Sequence, residues 1–218
     1  MTVRLAVFDC DGTLSDGQAA VCDAMERTFE AVGLDRPDRS AVRRIVGLSL
    51  PAAIERLAPD EAPELHAFAV TQYKHFYFEA RQRGQVVEPL FDGIAPLVER
   101  LHGAGWVLGV ATGKSDRGLN ATLATHGLAR FFTTLQTADR HPSKPDPSML
   151  LAAMTDAGAL PGDTVMIGDT AFDMDMARAA GVRALGVSWG YHPEDELLAT
   201  GAAAVAHSAA QLEALIHG

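Results

Sequence analysis

Residues 3–14 read VRLAVFDCDGTL, and this stretch decides how the rest of the chain is interpreted. A short apolar run typical of a buried strand ends at Asp9, and a second aspartate, Asp11, follows two positions later. Gly12 and Thr13 come next and predict a turn. Two carboxylates this close repel each other unless a cation or a proton lies between them. The pattern therefore predicts a metal site at the end of a strand.

The composition is that of a globular protein. The chain has 218 residues, 48% apolar and 21% charged, which suits one core with a sizeable insertion. The net charge of −10 comes without a run of lysine and arginine, so nucleic acid is not an expected partner. Cys10 and Cys22 lack metal-site spacing and are expected to be reduced thiols. No stretch predicts a signal peptide or a membrane span, so we expect a cytoplasmic protein without a membrane partner.

The spacing of apolar residues divides the chain into a helical part and an alternating part. The first part contains predicted helices only, at 19–32, 40–46, 49–57 and 61–81. In the second part, helices are predicted at 94–102, 116–126, 147–157 and 171–180, with a last small strand and helix within 203–216. The strands between them are predicted at 106–111, 131–137, 164–168 and 182–187. This alternation with short connections predicts a doubly wound, parallel α/β sheet of the Rossmann-like kind.

The helical part is too long to be a simple crossover. A connection between parallel strands needs about a dozen residues, whereas the first two predicted strands are separated by far more. We therefore predict an α/β core from residues 1–14 and 88–218, and an inserted all-α helical cap domain from residues 15–87. Glu88 and the following proline read as the return hinge.

Polar residues follow most of the predicted strands of the core. Ligands of parallel α/β sheets bind at the carboxyl ends of the strands, so these residues should lie close together. They are Asp9 and Asp11, the segment 112–114 (TGK), Lys144 within KPDP, and Asp169 with Asp173. Carboxylate oxygens are hard ligands that suit Mg²⁺ better than zinc. The sequence therefore predicts an Mg²⁺ site at this edge of the sheet.

The same residue types fit the transfer of a phosphoryl group. A carboxylate such as Asp9 can attack phosphorus and form an aspartyl phosphate, while Asp11 could protonate the leaving oxygen and later activate water. The phosphoryl oxygens carry the charge during transfer, so the remaining task is electrostatic stabilisation. The groups expected to supply it are Thr112, Lys144 and the backbone N–H groups near Gly12 and Gly113.

Taken in order, these motifs closely resemble those of the haloacid dehalogenase superfamily of phosphohydrolases. The matching segments are DCDGT at 9–13, Thr112 after VLGVA, Lys144 in KPDP, and GDTAFD at 168–173. The helical insertion after the first motif resembles the C1-type cap of the phosphoglycolate-phosphatase-like subgroup. The resemblance spans the chain and implies a phosphatase acting on a small phosphorylated metabolite.

The resemblance also implies individual roles. Asp9 would be the nucleophile and a metal ligand, and Asp11 the acid and base that also gives its backbone carbonyl to Mg²⁺. Thr13 would assist Asp11. Asp169 would bind Mg²⁺, with Asp173 orienting the metal's surroundings. Thr112 and Lys144 would hold the phosphate.

Two features depart from the family pattern or lie outside it. Gly113 stands where relatives often have asparagine, so a side-chain donor is missing while the backbone donor remains. Arg43 and Arg44, on the second predicted helix, are candidates to clamp a substrate carboxylate, the alternative being a solvated helix face. The aromatic cluster at 68–78 is expected to be a packing face.

Several alternatives stay open at this point. Asp169 and Asp173 could merely favour a helix N-terminus, and Lys144 taken alone is an exposed loop lysine. The expected function is Mg²⁺-dependent hydrolysis of a small phosphomonoester through an aspartyl phosphate. A sugar phosphomutase would share the aspartate pair and the cap, and a phosphate-binding module without turnover would share the fold. Both a monomer and a homodimer are compatible with the sequence.

Overall fold

The apolar segment after the N-terminus forms the centre of the molecule. A computed structural model describes residues 2–218, within which six parallel strands form one sheet in the order β3-β2-β1-β4-β5-β6. The strands are β1 (Leu5–Phe8), β2 (Val107–Thr112), β3 (Phe132–Thr137), β4 (Thr164–Gly168), β5 (Arg183–Val187) and β6 (Ala204–Ala206). The strand order reverses beside β1, which lies between β2 and β4. The predicted doubly wound α/β fold is confirmed, and a ligand crevice is expected at the carboxyl end of β1.

Helices cover both faces of this sheet, which is why β1 is apolar throughout. They are α5 (Ile94–Gly103), α6 (Asp116–Thr125), α7 (Ser148–Ala157), α8 (Ala171–Ala179), α9 (Glu194–Thr200) and α10 (Ala209–His217). Ala6 and Phe8 pack with residues of α5, α6 and α10 in one apolar cluster. Leu5 and Val7 point to the opposite face and pack with α7, α8 and α9.

Four helices, which we call the inserted helices, lie between β1 and α5. They are α1 (Gln18–Ala31), α2 (Arg39–Ile45), α3 (Leu50–Leu57) and α4 (Pro63–Gln82). Many of their buried apolar residues, among them Met25, Phe29 and Ile54, form a cluster separate from the two sheet-face clusters. Ile45 and Ala53 belong to a further small cluster that packs against Phe172 of α8. The two chain crossings into and out of this region run side by side, since the N–H of Asp16 donates to the carbonyl of Pro89 at 2.8 Å. The division into domains at residues 15 and 88 stays a prediction.

The elements differ from the prediction in two places. Helix α9 was not predicted, although its first turn carries three acidic residues that favour a helix N-terminus. Ser40 was expected to cap α2 but lies inside it, because the helix begins at Arg39 after the extended residue Asp38. Both cysteines are free thiols, as expected. Between residues 2 and 218, no helix is both long and apolar enough to cross a membrane.

Candidate active site

Three aspartates meet beyond the carboxyl ends of β1 and β4. Asp9 directly follows β1, and its N–H donates to the carbonyl of Ile167 at 2.8 Å, which holds it in line with β4. Asp169 directly follows β4, and Asp173 lies in the first turn of α8. Carboxylate oxygens of the three aspartates lie within 4.8 Å of one another, and all three residues are buried.

Lys144 joins this group from the loop after β3. Its Nζ lies 2.6 Å from Asp173 Oδ1 and 3.0 Å from Asp9 Oδ1, and its side chain is wholly buried. The alternative of an exposed loop lysine is therefore wrong. Burial lowers the pKa of Lys144, but the carboxylates of Asp173 and Asp9 outweigh this effect and raise it, so the ammonium stays charged. We call Asp9, Lys144, Asp169 and Asp173 the carboxylate cluster.

The carboxylate cluster carries more negative than positive charge. Burial raises the pKa of Asp9 to about 7, with the ammonium of Lys144 opposing and the carboxylate of Asp173 adding to the rise. Burial, and after it the carboxylates of Asp9 and Asp173, holds the pKa of Asp169 well above its ordinary value. Asp9 Oδ2 is buried and has no hydrogen-bond partner among residues 2–218. Three oxygen-donor groups, a charge surplus and an unpaired oxygen fit a hard dication such as Mg²⁺.

Hydrogen bonds hold the other oxygens of this cluster. The hydroxyl of Thr13 donates to Asp169 Oδ1 at 2.8 Å, and the N–H of Tyr191 donates to Oδ2 at 3.0 Å. Thr13 was expected to assist Asp11; its hydroxyl contacts Asp169 in the structure, and the assisting role stays a prediction. Asp173 Oδ2 accepts from the N–H and the hydroxyl of Thr170, closing a capping box at α8. Asp173 therefore both caps its helix and pairs with the buried lysine.

Asp11 is held apart from the carboxylate cluster by a second lysine. Lys114 Nζ lies 2.7 and 2.9 Å from the two carboxylate oxygens of Asp11, and 2.8 Å from Glu88 Oε1. We expected a metal between Asp9 and Asp11, but each carboxylate has a lysine of its own. At the Asp11 side chain the required cation is the ammonium of Lys114, and a metal-binding role for Asp11 stays a prediction.

Glu88 extends this second group of charges to the inserted helices. Its carboxylate also accepts hydrogen bonds from Arg81 and Tyr77 of α4, both at 2.9 Å. Burial alone would raise the pKa of Glu88, but Lys114 and Arg81 lower it to about 2. We call Asp11, Lys114, Glu88, Arg81 and Tyr77 the bridging network. Sequence reasoning placed Lys114 at a strand end without a role, and nothing in the sequence pairs it with Glu88.

Gly113 lies where an inserted loop touches the sheet. A Cβ atom at this position would lie 2.3 Å from the carbonyl oxygen of Leu48 and 2.5 Å from that of Gly47. The loop between α2 and α3 thus packs on the end of β2, and an asparagine could not be accommodated in this arrangement. The neighbouring Thr112 is buried, and its hydroxyl accepts from the N–H of Lys114 at 3.3 Å.

Position 12 requires a glycine because the side chain of Asp169 lies against it. Its φ is +84°, and a Cβ atom there would lie 2.1 Å from Asp169 Oδ2. Only glycine fits a backbone that approaches this carboxylate so closely. The turn after β1 is therefore shaped by the residue that follows β4.

A cavity of about 530 Å³ lies between the inserted helices and the strand ends. Its polar wall includes Asp11, Thr112, Gly113 and Lys114, whereas Asp9 does not line it and is completely buried. Aromatic residues of α4 also line the cavity, so the expectation that this cluster only packs was incomplete. These residues are Tyr73, Tyr77 and Phe78.

Arg43 and Arg44 do not line this cavity. Arg44 makes two hydrogen bonds, at 2.6 and 3.0 Å, to the carboxylate of Glu196 on α9, and Arg43 is exposed. The structure thus gives Arg44 a partner within the chain and brings neither guanidinium to the predicted substrate site. The basic residues that do line the cavity are Lys74, Arg81, Lys114 and Arg117.

Comparison with known proteins places this arrangement among phosphatases. Residues 6–187 match the haloacid dehalogenase-like hydrolase family. The chain is 37% identical over 198 residues to the probable phosphatase IndB of Dickeya dadantii, covering 89% of this chain and 85% of that protein. It is 30% identical to a phosphoglycolate phosphatase of Vibrio cholerae, with 88% and 87% covered. The crystal structure of a predicted phosphatase from Clostridium acetobutylicum aligns with a TM-score of 0.88 at 25% identity, covering 100% of this chain and 99% of the other.

Proposed function

The chain belongs to the haloacid dehalogenase-like hydrolase family and is a phosphatase similar to phosphoglycolate phosphatases, and we propose that it hydrolyses small phosphomonoesters with Asp9 as the nucleophile. The observation that supports this proposal is the difference in hydrogen bonding between the two oxygens of the Asp9 carboxylate. Oδ1 accepts from the N–H of Cys10 at 2.7 Å and lies 3.0 Å from Lys144 Nζ, while Oδ2 is unpaired. A carboxylate oriented through one oxygen has the other available to attack phosphorus.

The proposed metal is Mg²⁺. Asp9, Asp169 and Asp173 would hold it, together with the backbone carbonyl of Asp11 that the family resemblance implies. When bound, Mg²⁺ supplies positive charge that offsets the buried carboxylates and the phosphoryl oxygens. Lys144, buried between Asp9 and Asp173, adds a fixed positive charge at the same place.

The proposed reaction has two steps. Asp9 Oδ2 attacks phosphorus while the bond to the alcohol breaks, and Asp11, which takes up a proton from water while the cap is open, gives that proton to the departing oxygen. In the second step Asp11 takes a proton from water, the water oxygen attacks phosphorus, and the bond to Asp9 breaks to release inorganic phosphate. Asp11 suits this work because it lines the cavity while Asp9 lies behind it.

We further propose that residues 15–87 act as a cap that opens for the substrate. Asp9 is completely buried, and the loop at Gly47 and Leu48 lies on Gly113 at the end of β2. A phosphate group reaches Asp9 only after this loop moves away. Its return would exclude water from the reacting groups.

The proposal is tested with acetyl phosphate, whose leaving group is so reactive that the phosphoryl-transfer groups alone should turn it over. We expect Mg²⁺-dependent release of inorganic phosphate that EDTA abolishes. Asp9→Asn should lower the rate by about 10⁴-fold or more while the variant keeps the native circular dichroism spectrum. Retained turnover in Asp9→Asn, or an unchanged rate in EDTA, would contradict the mechanism. Isomerisation of a sugar phosphate without phosphate release would indicate a mutase instead.

A further inference from the structure

The wall of the cavity that faces the strand ends is apolar and aromatic. It is built by all four inserted helices, through Val21, Met25, Ile45, Leu50, Tyr73, Tyr77 and Phe78. The rings of Tyr73 and Tyr77 stack with centroids 5.7 Å apart. The guanidinium of Arg117 lies 3.8 Å from the centroid of the Phe78 ring. Flat faces and aliphatic side chains of this kind bind rings better than small polar groups.

The cations in this cavity are poorly placed for a small carboxylate. Lys114 is already paired with Asp11 and Glu88, and Arg81 is paired with Glu88. Lys74 and Arg117, which have no ion pair among residues 2–218, are both exposed to solvent. A two-carbon acid attached to the phosphate would therefore lie beside the carboxylate of Asp11 without a buried, unpaired cation of its own.

The size of the cavity points the same way. Its volume of about 530 Å³ lies in the range of roughly 300–1,000 Å³ found for pockets that enclose molecules of drug size. A glycolate group fills only a small part of such a space, and the remainder would hold water against an apolar wall. An aromatic group would displace this water and cover the side chains of α1, α3 and α4.

From these three observations, we propose that the alcohol released by this phosphatase carries an aromatic ring, which binds against Tyr73 and Phe78, and is not a small hydroxy acid. The inference rests on the proposed function, because the phosphate must be held at Asp9 while the ring occupies the cavity. If the inference is correct, the inserted helices determine which leaving group the enzyme accepts. The alternative is a small anionic substrate such as phosphoglycolate.

The first test compares four substrates by kcat/KM in the presence of Mg²⁺. Benzyl phosphate, ethyl phosphate and phosphoglycolate all release a primary alcohol, so they differ in ring and charge more than in the reactivity of the leaving oxygen. Acetyl phosphate reports on phosphoryl transfer alone. We expect benzyl phosphate to exceed both ethyl phosphate and phosphoglycolate by about tenfold or more. A value for phosphoglycolate equal to or above that for benzyl phosphate would overturn the inference, whereas failure to turn over acetyl phosphate would overturn the proposed function.

The second test uses a matched pair of variants on α4. Phe76 and Phe78 are both half-buried, and each has an arginine over its ring, at 4.4 Å for Phe76 and 3.8 Å for Phe78. Only Phe78 lines the cavity. We expect the ratio of kcat/KM for benzyl phosphate to that for acetyl phosphate to fall about tenfold in Phe78→Ala and to change less than about twofold in Phe76→Ala.

An equal loss in both variants would show that the ring acts through helix stability and would contradict the inference. If Phe78→Ala does not fold, Leu50→Trp serves in its place, because it fills the cavity from α3. It should lower the same ratio, and an unchanged ratio in a folded Leu50→Trp protein would contradict the inference.

Discussion

The carboxylate cluster and the bridging network lie on neighbouring strand ends but differ in charge balance. The cluster has three carboxylates and one ammonium, with one carboxylate oxygen unpaired. The network has two carboxylates, Asp11 and Glu88, against the cations of Lys114 and Arg81. The first group therefore requires a further cation or bound protons, whereas the second is neutral by itself.

This difference in charge balance suits the carboxylate cluster to bind a ligand and the bridging network to position a side chain. A group with a charge surplus and an open oxygen is suited to hold a metal and a phosphate, because both supply what it lacks. A neutral, fully hydrogen-bonded group gains nothing from a ligand and instead fixes the position of Asp11 relative to α4. Each prediction below disturbs one group and uses the other as the reference.

The largest stability effect is expected from removing the central cation of the bridging network. Lys114→Met leaves two buried carboxylates without their shared partner, and breaking a buried ion pair in this way costs about 3–5 kcal/mol. Urea denaturation measures this loss in the free energy of unfolding. Lys74→Met, which removes an exposed lysine that has no ion pair within residues 2–218, is the matched control and should cost less than about 0.5 kcal/mol.

Adding Asp11→Asn to Lys114→Met should recover part of the lost stability, because Asp11 is the carboxylate left without its ion-pair partner, whereas Glu88 keeps Arg81. Equal stability of Lys114→Met and Lys74→Met would show that the network contributes nothing to the fold.

The carboxylate cluster is tested by its response to Mg²⁺. A ligand at 100 times its dissociation constant raises the free energy of unfolding by about 2.7 kcal/mol, and we expect Mg²⁺ to do so in the wild-type protein. Asp169→Asn should lose this response because it removes one of the three charged ligands. Glu88→Gln, in the bridging network, should keep it. Loss of the Mg²⁺ response in Glu88→Gln with retention in Asp169→Asn would reverse the assignment of the two groups.

The two groups should respond to pH with opposite signs in Mg²⁺-free buffer. The pKa of Glu88 is about 2 when folded, below the ordinary value of 4.5, so its stabilisation is complete above pH 4.5 and is lost as the pH falls towards 2. The pKa of Asp9 is about 7, above the ordinary value of 3.8, so stability falls as the pH rises from 4 to 7. Urea denaturation at successive pH values measures both slopes.

Glu88→Gln should flatten the acid slope, and Asp9→Asn should flatten the slope between pH 4 and 7. Each variant is the control for the other, because the pH window of Glu88, from about 2 to 4.5, and that of Asp9, from 3.8 to about 7, overlap only between 3.8 and 4.5. If either variant flattens both slopes, the two groups titrate as one and their separation is incorrect.

The parts of the fold and site that follow from local sequence could be predicted. The apolar run before Asp9 and the alternation of strands and helices indicate a parallel sheet, because side-chain period depends on neighbouring residues alone. The strand-end positions of Asp9, Lys144 and Asp169 follow from that sheet. Their convergence needed only the rule that parallel strands end at a shared edge.

Contacts between distant residues could not be predicted in this way. Lys114 and Glu88 are 26 positions apart and meet only because the chain returns from the inserted helices beside the end of β2. The place of Gly113 under the carbonyl of Leu48 likewise depends on how α2 and α3 pack. The metal set predicted from sequence, Asp9, Asp11, Asp169 and Asp173, stays a prediction, but tertiary structure brings only the carboxylates of Asp9, Asp169 and Asp173 together and pairs that of Asp11 with Lys114.

The smallest effect concerns the arginines that the sequence predicted as substrate contacts. The Arg44 side chain is 47% exposed and paired with Glu196, so Arg44→Ala should cost no more than about 1 kcal/mol in the free energy of unfolding. Neither Arg44→Ala nor Arg43→Ala should change KM by more than about twofold, because neither guanidinium lines the cavity. Glu196→Gln is the matched control, since it removes the same ion pair from the other side. An increase in KM for phosphoglycolate in Arg44→Ala that Glu196→Gln does not reproduce would mean that Arg44 leaves Glu196 to bind the substrate, and it would restore the assignment made from sequence.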